Sequence, residues 1–253
     1  MSSYDRSGTS EYPSGGRRFT GHRKVRLGDT TATGRLRLDA LTRYTQDVSD
    51  DDTTDAGLGS DRAWVVRKTR VETARSAVLA EELAFTTYCS ALGRRWAERR
   101  LDIEGSEGAR YQVITLWICL DPTTGRPAQI SEQFLDLYTE AAAGRTVGAR
   151  LEHPKPPPDA ERWSWPLRVV DVDTIGHVNN AAYWAVAEQA VAGSALAERG
   201  PDWASIEYAS GLVLNDDVTV HDATDGDRRH LWFHTAAAAM AASIALSTAP
   251  AAD

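Results

Sequence analysis

The stretch Asp171-Val172-Asp173-Thr174-Ile175-Gly176-His177-Val178-Asn179-Asn180-Ala181-Ala182-Tyr183 decides how the chain is read. It sets a carboxylate just ahead of a glycine turn, and the turn opens onto an apolar segment with helical spacing. Asp, four residues and Gly also occur 142 residues earlier, as Asp29-Thr30-Thr31-Ala32-Thr33-Gly34. The offset is the same at both ends of the motif, so the chain reads as a unit used twice.

Working outward, each motif follows a short strand-like run, His22 to Leu27 in one copy and Trp163 to Val170 in the other. Each is followed by a helix pattern: Leu41, Tyr44 and Val48 share one face, as do Tyr183, Ala187, Ala190, Val191 and Ser194. Strand-like segments come next: Ala63 to Glu72, Leu83 to Ser90, Arg94 to Ile103 and Tyr111 to Leu120, then Ser205 to Tyr208, Asp217 to His221, His230 to Thr235 and Met240 to Ser247. Alanine propensity favours a helix from Ala236 to Ala245, but the repeat asks for a strand there, and we follow the repeat. The second helix is apolar nearly all round, with Trp184 and Val186 beside Tyr183, so it must be wrapped. The expected architecture is α+β: a double hotdog, two antiparallel sheets each wrapped around a central helix. The expected divisions are a disordered N-terminal tail (1–20), an N-terminal hotdog (21–140), a linker (141–160) around Pro154-Lys155-Pro156-Pro157-Pro158, and a C-terminal hotdog (161–253).

Composition narrows the class. The 253 residues are 42% hydrophobic and 25% charged, the balance of a globular protein. The first twenty residues, rich in Ser, Gly and Arg, lack the apolar core of a signal peptide, and no apolar run reaches membrane-span length. A cytoplasmic location is expected. The net charge of -8 argues against nucleic acid as a partner. Cys89 and Cys119 are too few for a disulfide framework or a thiolate zinc site and read as buried strand thiols. His230 and His234 sit in a strand-like run without an acidic partner, so no metal and no cofactor are expected. Two locally basic runs, Arg67 to Arg70 and Arg94 to Arg100, read as solvated strand faces or as contacts for an acidic partner.

Asp173 at this turn can deprotonate a water or attack a carbonyl itself. N–H groups at a helix start carry the positive end of the dipole and can hold an oxygen that becomes negative; the candidates are those of Gly176, His177 and Val178. A thioester suits such a site, because a thiolate leaves with little protonation. Taken singly, these residues also have plainer readings: Asp173 as a turn carboxylate, His177 as an interior histidine, Asn179 and Asn180 as caps, and Glu188 as a partly exposed helix residue. Asn179, Asn180, Tyr183 and Glu188 are candidate supporting residues.

Asp-x-x-Gly-His-Val-Asn-Asn-x-x-Tyr, from Asp173 to Tyr183, resembles the signature of hotdog thioesterases. The two-copy layout resembles the acyl-ACP thioesterase family of plants and bacteria. The stretches Trp64 to Arg67, Cys89 to Arg100 and Leu120 to Pro127 resemble its actinobacterial branch. The resemblance, over roughly residues 20 to 248, implies hydrolysis of fatty acyl-ACP to free fatty acid and carrier protein within fatty acid biosynthesis, with catalysis in the second hotdog. Thr31 and Arg35 stand at the positions matching Asp173 and His177, so one copy alone keeps the carboxylate. Acyl carrier protein and the acyl thioester are the implied partners, with Arg94, Arg95, Arg99 and Arg100 as carrier contacts; further pairing into a homodimer is left open. Plant members carry Asn where this chain has Ile175, and Glu then Cys where an ungapped count finds Gly211 and Leu212. A plant-style network of Asp, Asn, His and Glu is therefore incomplete, and Asp216 or Asp217 would have to replace the Glu. The rival readings are an acyl-CoA or aryl-CoA thioesterase of the same fold, a hotdog dehydratase, and a non-catalytic acyl-binding protein.

Overall fold

The computed structural model describes residues 12–58, 62–194, 196–236 and 239–248. The first copy comprises β1 (Phe19–Lys24), α1 (Leu38–Asp55), β2 (Ala63–Arg75), β3 (Glu82–Leu92), β4 (Trp96–Gly105), β5 (Arg110–Leu120) and α2 (Glu132–Ala142). The second has β6 (Glu161–Trp165), α3 (Asn180–Val191), the single turn α4 (Leu196–Arg199), β7 (Trp203–Tyr208), β8 (Val218–Asp225), β9 (Arg228–Thr235) and β10 (Met240–Ser247). Of the tail expected to be disordered, residues 1–11 lie outside the described residues, and Phe19 already begins β1.

The ten strands form one antiparallel sheet in the order β1-β3-β4-β5-β2-β7-β10-β9-β8-β6. Its second half repeats the first in reverse order, as a two-fold axis at the β2–β7 seam requires. The two expected sheets are thus joined edge to edge, and neither half keeps an open edge at the centre. The register across the seam runs from Lys68 opposite Glu207 to Glu72 opposite Trp203, and the Lys68 ammonium lies 3.4 Å from the Glu207 carboxylate.

α1 and α3 lie on the same face of this sheet and pack against each other. Leu38, Leu41, Tyr44 and Val48 put the apolar stripe of α1 into the core. In α3, Ala181, Tyr183, Trp184, Val186, Ala187 and Val191 are all buried, as an all-round apolar helix requires. β10 is a central strand in which residues 241–246 are buried between β7 and β9. Tertiary pairing therefore overrides the helix propensity of its alanines.

The strands expected to reach Leu27 and Val170 end sooner. Leu27–Asp29 and Val169–Asp171 are single 3-10 turns that redirect the chain toward the helices. α2 runs to Ala142, into the segment expected as linker, and ends on Ala143 in the left-handed region. Ser131 caps α2, and Ile130, Phe134, Tyr138 and Ala142 build a second small core with Cys89, Ala97 and Cys119. Further on, the connecting chain is strapped to the sheet's other face. The Glu207 carboxylate accepts the N–H groups of Glu152 and His153, and the Trp232 indole donates to the Pro154 carbonyl at 2.6 Å.

Candidate active site

The two turns that lead into α1 and α3 are the same structure built twice. Asp173 N–H donates to His177 O at 2.9 Å and Gly176 N–H to Asp173 O at 3.0 Å; Thr31 to Arg35 and Gly34 to Thr31 match them at 2.8 and 3.0 Å. Bridges Val172–Val178 and Thr30–Leu36 tie the flanks. Gly176 and Gly34 take φ of 83° and 88°, where a side chain would be strained. Asn179 then caps α3, accepting the Ala181 N–H at 2.9 Å, so the helix opens at Asn180.

The turn also fixes Asp173. Its Oδ1 accepts the N–H of Ile175 at 3.1 Å and, more loosely, that of His177 at 3.4 Å. No hydrogen bond reaches Oδ2 among the described residues. The turn reading and the catalytic reading are therefore compatible: one oxygen holds the loop and the other remains free.

Asp173, His177, Asn180 and Tyr183 line a cavity of about 1020 Å³ whose opposite wall comes from the first copy, including Gln46 on α1, Trp64 on β2 and Phe134 on α2. Trp64, Phe134 and Tyr138 pack with tilted rings at centroid distances of 5.0 and 4.6 Å, and Trp64 and Phe134 give that wall an apolar patch. The Cys89 thiol, also on the lining, is pushed up to about 12 by burial and stays neutral. Apolar walls meeting a few convergent polar groups suit a ligand with an acyl tail and a polar reacting end.

Several predicted site residues do other work. The N–H of Gly176 is spent on Asp173 O and that of Val178 on Leu212 O at 2.8 Å, while that of His177 leans on the Asp173 carboxylate. None of the three is a free helix-start donor, because they precede the helix. The first helical N–H belongs to Asn180, and it has no acceptor among the described residues. Glu188 points away from Asp173 to the first copy's turn. It pairs with the Arg35 guanidinium at 2.6 Å and accepts the Leu38 N–H at 2.7 Å. Arg99 faces inward to Asp52, and Arg100 pairs with Asp102 on the other face of β4 at 2.9 Å, so of the four basic residues only Arg94 and Arg95 remain exposed. Asp216 caps the Val213 N–H, Asp217 is exposed, and neither lines the cavity. A Cβ added to Gly211 would lie 3.4 Å from the His177 ring, so position 211 stands beside that histidine. The Tyr183 hydroxyl is raised above its usual range by burial and lies in the field of Asp216.

The model of the acyl-ACP thioesterase N-terminal domain matches residues 16–138, and that of the C-terminal domain matches residues 155–244. The chain belongs to the acyl-ACP thioesterase family. Members of this family are thioester hydrolases that split fatty acyl-ACP, and so is this chain. Two acyl-ACP thioesterases of known structure share its fold: the 12:0-ACP thioesterase of Umbellularia californica and an acyl-ACP thioesterase of Bacteroides thetaiotaomicron. The first is 16% identical with a TM-score of 0.75, covering 91% of this chain and 96% of its own. The second is 14% identical with a TM-score of 0.78, covering 91% and 97%. Two uncharacterized Mycobacterium tuberculosis proteins are 27% identical over 211 residues, 83% of this chain and 84% of theirs.

Proposed function

We propose that Asp173 is the single carboxylate on which hydrolysis of the acyl thioester depends. The acyl tail lies along the apolar wall of the first copy, and the thioester carbonyl lies between the free Asp173 oxygen and the start of α3. Asp173 takes a proton from a water, the hydroxide adds to the carbonyl carbon, and the carbon–sulfur bond breaks to release free acid and thiolate. The Asn180 N–H, at the positive end of the helix dipole, faces the oxygen that becomes negative. His177, against Gly211, borders the same space and positions the reacting end. Carrier protein approaches past Arg94 and Arg95, and the setting is cytoplasmic fatty acid synthesis.

The observation that carries this reading is the free oxygen of a turn-locked carboxylate at the polar end of an acyl-sized cavity. The test is thiol release from matched acyl-ACP, acyl-CoA and acyl-N-acetylcysteamine, for the native chain and Asp173→Asn. Native turnover is expected on all three, fastest on acyl-ACP. Asp173→Asn is expected to lose about 10³-fold in kcat. Reversing Arg94 and Arg95 to Glu is expected to raise KM for acyl-ACP alone, leaving the small neutral thioester unchanged. Native-level thiol release by Asp173→Asn would refute the reading.

A further inference from the structure

The two-fold relation at the seam has a consequence for α1. Glu188 reaches out of α3 to the start of α1, where it takes the Leu38 N–H and the Arg35 guanidinium. In a two-fold interface each such contact has a mate with the partners exchanged. Leu38 corresponds to Asn180, Arg35 to His177, and Glu188 to Gln46 at the same offset of 142. The mate is therefore Gln46 of α1 facing the start of α3.

Three observations support that placement. Gln46 lines the cavity together with Asp173, His177 and Asn180. Its side chain is half-buried and has no hydrogen-bond partner among the described residues. The Asn180 N–H, whose counterpart is filled by Glu188, is likewise without an acceptor. Two polar groups that would ordinarily be satisfied, one from each copy, thus border the same space at the reacting end of the cavity.

We infer that Gln46 is a second catalytic group, its side-chain amide donating to the thioester carbonyl oxygen beside the Asn180 N–H. The residue type fits the role. A carboxylate at this place can only accept, and in the first copy it closes off the helix start and neutralises Arg35. An amide adds no charge next to His177 and supplies an N–H to an oxygen that becomes negative. The first hotdog would then contribute to the chemistry as well as to the acyl wall. This inference rests on Asp173 acting as proposed above.

The experiment compares Gln46→Met, Gln46→Glu and Asp173→Asn by thiol release from acyl-ACP, resolving kcat from KM, with thermal melting to confirm folding. Loss of one oxyanion donor is expected to lower kcat about 10²-fold in Gln46→Met, with KM within about two-fold. Gln46→Glu, of the same shape, is expected to lose at least as much at neutral pH, because its carboxylate takes up the Asn180 N–H as Glu188 takes up that of Leu38. Unchanged kcat in both Gln46 variants would overturn the inference, and so would a loss confined to KM, which would make Gln46 only a wall of the cavity. Either result beside an inactive Asp173→Asn leaves the role of Asp173 standing. Native-level turnover by Asp173→Asn removes both.

Discussion

The turn before α1 and the turn before α3 share their hydrogen bonds, their left-handed glycine and the helix that follows, yet they hold opposite chemistry. The first carries Thr31 and Arg35 and receives Glu188, so its helix start is occupied and its charges cancel in a buried pair. The second carries Asp173 and His177 and opens on a cavity that Gln46 also lines. One scaffold thus yields an ion-paired strut and a reactive site, and the choice is made by side chains at three related pairs of positions. Function here lies in what fills the turn, while the turn itself is a folding device.

The contrast breaks most sharply at its first pair of positions. Asp173→Asn is expected to cost about 10³-fold in kcat, whereas Thr31→Val is expected to stay within two-fold of native, both by thiol release. Equal effects would erase the distinction between the copies. In the strut, Arg35→Leu leaves a buried carboxylate without its partner and is expected to destabilise the fold by about 3–5 kcal/mol in urea denaturation. Adding Glu188→Gln to that variant is expected to restore part of the loss, because the charge that needed Arg35 has gone. A further variant sharpens the site half: Gly211→Glu places a side chain against the His177 ring and is expected to move the NMR signals of that ring while leaving those of His221 unchanged.

The smallest expected effect concerns the strap outside both turns. His153 bridges the hydroxyls of Ser205 and Ser243 at 2.8 and 2.9 Å, with Glu207, Lys68 and His230 around it. Burial outweighs the pull of Glu207 and lowers its pKa, and His230 and His234 are lowered by burial too. These rings take up a proton less readily in the fold than in the unfolded chain, which does so from about pH 6.5 downward. Their contribution is therefore neutral above that pH and destabilises the fold as pH falls below it. Replacing His153 by Gln is expected to flatten that acid slope in thermal melts between about pH 7 and 5.

Much of this was legible because duplication leaves an arithmetic trace. The offset between Asp29 and Asp171 located both turns, and the repeat order identified β10 against the propensity of its alanines. The offset also relates Gln46 to Glu188, a signal that needs the seam before it has meaning, since nothing local says that α3 reaches the start of α1. The fusion of two sheets through β2 and β7 was hidden for the same reason: edge pairing is a contact between distant segments. The N–H groups of Gly176 to Val178 are not helix-start groups because these residues precede the cap at Asn179, and helix starts shift by a residue or two when judged from pattern. α2 could have been found from Ser131 and the spacing of Phe134, Tyr138, Ala141 and Ala142. The basic run from Arg94 was read as one face, although a strand turns alternate residues to opposite sides.

The most direct test of the contrast is a crystal structure with a long-chain acyl-CoA analogue in which a methylene replaces the thioester sulfur, so that the carbonyl is kept and cannot be hydrolysed. The account predicts the carbonyl carbon or an attacking water within about 3.5 Å of the free Asp173 oxygen, the carbonyl oxygen toward Asn180 N–H and Gln46, and the tail against Trp64 and Phe134. A carbonyl bound at the Arg35 turn, or a tail that leaves the first-copy cavity empty, would contradict it.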